Sequence, residues 1–124
     1  MQTSTNYIDE IFDFNGLWGI PSRCGLRRIL KDDQVVVIVT ELYQDNTGSS
    51  ITSASASLAK QIVDKYQYDP TKLIYIECNP NMKSKLSFYD EEYFQVSFDY
   101  VNEEFIYPSW VKLSKDEFID ILNT

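Results

Sequence analysis

The run from Val35 to Asn79 constrains this chain more than any other, because strand, loop, helix and strand follow one another without interruption. VVVIVTEL is apolar on both faces of a pleat, as in a strand inside a covered sheet. The loop YQDNTGSS leads to ITSASASLAKQIVDKY, where Ile51, Leu58, Ile62 and Tyr66, with Ala54 and Val63 beside them, form one helical stripe. Asp69-Pro70 ends the helix, and LIYIEC forms the second strand. The unit is a βαβ crossover, in which two parallel strands bring their carboxyl ends beside the helix N-terminus, where ligands tend to bind. Glu41 and Glu77 fall at those ends.

The remainder is antiparallel in character. Residues 1–15 form an N-terminal segment whose Ile8, Ile11, Phe12 and Phe14 suit either a short strand or a helical turn docked on the core. GLWGIPSRCG is turn-rich, with Trp18 and Ile20 expected as anchors, and Leu26 to Leu30 reads as an outer strand reversed at Asp32-Asp33. Ser49, Ser50 or Thr52 is expected to cap the central helix. Leu86–Tyr89 and Tyr93–Val101 alternate as a hairpin with one wet face and Asp90-Glu91-Glu92 as its turn. A last strand over Phe105–Leu113 is broken by Pro108, which suits an edge. SKDEFIDIL carries a capping box, Ser114 with Glu117, and closes the chain as a helix that buries Phe118, Ile121 and Leu122. The expected fold is α+β: residues 16–124 as a single domain with a mixed, mostly antiparallel sheet and one βαβ crossover, in the order ββαβββ(β)α.

Length and composition fit one globular core: 124 residues, 44% apolar and 24% charged. The opening residues lack the basic and apolar regions of a secretory signal, and no apolar run reaches membrane-spanning length, so neither export nor membrane insertion is expected. Two cysteines imply no disulfide framework and cannot build a four-ligand zinc site, which makes a reducing cytoplasm the economical location. The chain has no histidine, which removes imidazole bases, Ser-His-Asp and Cys-His nucleophile systems and histidine-held metals. No cofactor or metal is called for, and enzyme chemistry is disfavoured.

Several constellations remain. Thr47, Gly48, Ser49 and Ser50 lie before the helix, where backbone amides can hold an anion, but the loop has no lysine and no P-loop or dinucleotide pattern. Glu41 and Glu77 become a pair only if their strands are neighbours; together, with Asp45, Asn79 and Asn81, they would suit a hard cation or an acid and base pair. Cys24 sits near Arg23, Arg27 and Arg28, yet without a proton carrier it reads as inert, and Cys78 as a small core residue. Arg23, Arg27, Arg28 and Lys31 are expected to pair inside the molecule with its acidic hairpin.

The strongest charge signal lies elsewhere. A net charge of -8 opposes nucleic-acid binding, and between residues 90 and 104 the chain has Asp90, Glu91, Glu92, Asp99, Glu103 and Glu104 with no base. Aromatic residues make up 15% of the chain, and Tyr93 and Tyr107 lie in or beside the acidic run, an anchor composition of protein interfaces. The leading expectation is therefore a small acidic protein-binding module, of inhibitor or immunity type, that engages a basic protein partner through this hairpin. The alternative is a small-ligand or enzymatic domain using the mouth of the βαβ unit.

Overall fold

A computed structural model describes residues 8–42, 50–80 and 91–123. Six strands form one sheet: β1 (Glu10–Asn15), β2 (Pro21–Lys31), β3 (Gln34–Glu41), β4 (Leu73–Pro80), β5 (Glu91–Val101) and β6 (Glu104–Leu113). Helix α1 (Ser55–Tyr66) connects β3 to β4, and α2 (Lys115–Leu122) follows β6. Spatial order equals sequence order, with β3 and β4 parallel and every other pair antiparallel. The fold is thus the expected single-domain α+β arrangement with one crossover. The open choice for the N-terminal segment resolves as strand, because Ile11 to Asn15 pair with Gly25 to Pro21.

That extra strand alters the place of β2. The expected outer strand is interior, flanked by β1 and β3, because the N-terminal segment takes the edge. Gly25 makes the docking close: a Cβ there would sit 2.7 Å from Ile8 Cδ1, so the absent side chain is where Ile8 packs. The β1–β2 connection also differs from expectation. Trp18 is 88% exposed and Ile20 is exposed too, so neither anchors the core. Trp18 has φ 57°, in the left-handed region, and sits in the 3-10 turn at the tip of this hairpin, away from the sheet faces.

Each face of the sheet has its own core. Val35, Val37, Val39, Tyr75 and Val96 lie under α1 with Leu58, Ala59 and Ile62, while Val36, Ile38, Ile76, Cys78 and Tyr93 meet Phe118 of α2. Period-two alternation sends neighbours of β3 to opposite cores, so a strand covered on both sides is apolar throughout. Phe12 and Phe14 of β1 and Phe105 of β6 all join the α1 core, although β1 and β6 are the two edges. The sheet therefore curls around α1, drawing both edges to one helix. Asn15 fastens one edge, its N–H and carbonyl each 2.8 Å from the Gln61 side chain.

The β5–β6 region departs from its expected layout. Glu91 and Glu92 open β5 and pair with Pro80 and Asn79 of β4, so they are not a turn; Asp90 and the expected strand Leu86–Tyr89 lie outside the described residues. The β4 ladder recruits these residues into strand. The hairpin turn is Asn102-Glu103 instead, both at positive φ (54° and 65°), the backbone of a type I′ reversal. The face expected to be wet is covered at its start, where Tyr93 stacks on Phe118 with ring centroids 4.1 Å apart. As expected, β6 is an edge strand and carries Pro108 at an irregularity: Ser97 pairs with Ser109 but Asp99 with Ile106, leaving Tyr107 and Pro108 as a bulge opposite Phe98.

Candidate functional site

The crossover skips no strand, which brings Glu41 and Glu77 together. Val39 pairs with Glu77, so Glu41, two residues along β3, projects to the same face as Glu77 at the carboxyl ends of both strands. Both are deeply buried beneath the start of α1, at 5% and 1% exposure. Such burial is costly for a carboxylate unless hydrogen bonds replace its water. Four donors surround Glu77: the Thr52 hydroxyl at 2.6 Å, the Asn79 amide at 2.8 Å, the Ser55 hydroxyl at 3.2 Å and the Trp110 indole N–H at 3.3 Å. Glu41 accepts from the Ile51 backbone N–H at 2.8 Å.

These bonds explain the helix start. The N-cap of α1 is Ala54, without a side-chain cap, where Ser49, Ser50 or Thr52 was expected. Thr52 turns its hydroxyl to Glu77, and Ser50 accepts from Ser53 N–H at 3.1 Å in the preceding turn. The anion beside the helix N-terminus is thus supplied from within the chain. Thr47, Gly48 and Ser49 lie outside the described residues, as do Asp45 and Asn81. Among the described residues no group of three or more acidic or thiol side chains is arranged to hold a metal ion.

The electrostatics of this end follow from burial. Desolvation pushes the Glu41 carboxyl above its ordinary value, with the Ile51 N–H opposing and the Glu77 charge adding to it. Burial, then Glu41 and Asp13, raise the Cys24 thiol well above the ordinary thiol range, which leaves it protonated and a poor nucleophile. Tyr75 is raised likewise, first by burial and then by Glu77, Cys24 and Glu41; its hydroxyl and that of Thr40 are buried with no hydrogen-bond partner among the described residues.

Arg23, Arg27 and Arg28 of the basic cluster find partners, but not in the acidic hairpin. Arg23 pairs with Asp13 at 3.0 Å, Arg27 with Asp9 at 3.7 Å and Arg28 with Glu10 at 2.8 Å, all cross-strand contacts with β1 or the residue before it. Antiparallel pairing of β1 with β2 brings these charges together. Arg28 also lies 3.8 Å over the Tyr66 ring and donates to Tyr68 Oη at 2.9 Å.

The β5–β6 hairpin is the contrasting surface. Asp99, Glu103 and Glu104 are exposed, and no ion pair holds them among the described residues. Glu92 is spanned by Lys112 at 3.5 Å, and Tyr93 is buried under α2, so neither adds to the free acidic surface. Tyr107 is 75% exposed at the bulge, with Val111 at 58% and a partly exposed Trp110 beyond it. Trp110 and Val111 were not among the site residues expected from sequence; the signal was available in an aromatic and a β-branched residue beside a proline that marks an edge. A cleft of about 240 Å³ opens where the start of β4 parts from β5, walled by Leu73, Tyr75, Phe98, Tyr100 and Phe105. No helix is long and apolar enough to cross a membrane among the described residues. Comparison with protein-family models, curated proteins and solved structures gave no match for this chain.

Proposed function

We propose that this protein is a non-enzymatic interaction module that binds a basic protein partner through its β5–β6 hairpin. The observation that carries the proposal is the coincidence, on one hairpin, of acids without ion pairs among the described residues (Asp99, Glu103 and Glu104) and the exposed side chains Tyr107, Trp110 and Val111. Aromatic anchors beside charges of one sign provide contact area together with steering, and steered association weakens with salt. Outside the hairpin, Arg23, Arg27, Arg28, Lys60 and Lys72 each have an acidic partner. The negative balance also opposes nucleic acid as the ligand, and two buried free thiols suit action in the cytoplasm.

The mouth of the βαβ unit offers less support for a ligand. Its two carboxylates are buried and engaged by the chain itself. The test compares the partners captured by the wild-type protein and by the triple variant Asp99→Asn, Glu103→Gln, Glu104→Gln. Partners that bind the first, release it in moderate salt and miss the second are expected; an identical set for both would sink the proposal.

A further inference from the structure

The outer edge of β6 suggests how such a partner docks, an inference that rests on the proposed acidic hairpin. No described strand pairs with that edge. Exposed edges are ordinarily blunted by shortness, charge, proline or a bulge. The opposite edge meets this rule: β1 has six residues, and its Glu10 and Asp13 are tied to Arg28 and Arg23. β6 has ten residues, with a proline and a bulge in the middle, at Tyr107-Pro108, and charges near its two ends, at Glu104 and Lys112. Beyond the bulge, Ser109 to Leu113 (SWVKL) has high strand propensity, and its one charge, Lys112, is engaged by Glu92.

We infer that Ser109–Leu113 accepts an extended segment of a basic partner as an added strand, with the segment's Lys or Arg residues reaching Glu103, Glu104 and Asp99 at the hairpin tip. Length supports this, because a strand of about ten residues spans β6 from end to end. Charge gives it direction along the edge: the acids without ion pairs all lie before or at the first residues of β6, and the apolar residues lie after the bulge. Trp110 is a preset contact, since the Glu77 bond at 3.3 Å holds its indole in place before any partner arrives. Tyr107 stands between the two halves, where its ring can meet a cation. Main-chain bonds then provide affinity, and the acids select the partner's charge.

A blocked peptide of about ten residues, Arg-Thr repeats followed by Val-Thr repeats, is the probe. It is expected to bind at low salt and to slow hydrogen exchange at alternate amides within Ser109–Leu113. N-methylation of one alternating set of its backbone nitrogens in the Val-Thr half should weaken binding by about tenfold or more, and methylation of the other set should not. If both methylated peptides bind like the parent, strand addition is wrong although the acidic hairpin still binds basic segments. If a Glu-Thr version binds equally, or the triple amide variant binds the basic peptide undiminished, the underlying hairpin proposal fails as well. Absence of binding overturns the inference. So does concentration-dependent protection of the same amides without peptide, which would make a second copy of the chain the occupant.

Discussion

Glu77 holds the carboxyl end of the sheet together through two oxygens. Removing the carboxylate leaves the Thr52 and Asn79 donors without their acceptor, while Ser55 keeps the Thr52 carbonyl at 3.0 Å, so Glu77→Ala is expected to cost about 3 kcal/mol by urea denaturation. Glu77→Gln keeps one acceptor and should cost clearly less, with a smaller change in Trp110 fluorescence. Glu41 behaves differently, because burial raises its pKa above the ordinary 4.5. The folded chain then binds that proton more tightly than the unfolded chain. Its stabilising share is full below about pH 4.5 and is lost as pH rises through the raised value. Glu41→Gln removes this titration, so its stability relative to wild type is expected to improve as pH increases from 4.5 to 8; a pH-independent difference would contradict the assignment. The presence of two acids at strand ends was legible in the sequence, but their burial was not. Strand ends usually return to water, and the covering turn of Ile51 to Ala54, with Ser55 and Trp110, reverses that here.

At the scale of elements, α2 was readable because its signals are local. Ser114 and Glu117 bond reciprocally, at 3.0 and 2.7 Å, as their spacing implies, and Ser114→Ala is expected to cost about 1 kcal/mol. The start of α1 was less readable because distant carboxylates compete for the same hydroxyls. Its end has Gln67 in the left-handed region at φ 58°, a position that favours glycine. The hairpin turn offers a cleaner test of such strain. Glu103 occupies the second central position of the I′ turn at φ 65°, and Glu103→Gly should stabilise the fold by about 0.5–1 kcal/mol while weakening capture of a basic partner. Stability and binding moving together in the same direction would count against the role given to this acid. The misplaced turn at Asp90-Glu91-Glu92 has a simple origin: three acids look like a solvated reversal, but the β4 ladder draws Glu91 and Glu92 into strand.

On the scale of the whole molecule, curvature unites the parts. Because Phe12, Phe14 and Phe105 reach α1 from opposite edges, Leu58→Ala is expected to cost about 3 kcal/mol and to lower hydrogen-exchange protection in β1 and β6 together. Loss confined to β3 and β4 would mean that the edges do not depend on the helix. What the sequence determined by itself was whatever depends on period and nearest neighbours: the strands of the crossover, the stripe on α1, the capped α2 and the proline edge. Hydrophobic alternation and capping act over a few residues, so they are written locally. The tertiary structure alone decided which strands are neighbours, that β1 takes the edge and β2 the interior, that Arg23, Arg27 and Arg28 meet the acids of β1 and its approach, and that Glu41 and Glu77 share a dry pocket. Those outcomes depend on contacts between segments far apart in the chain. They are set by how a twisted sheet closes around a helix, which no single stretch of residues encodes.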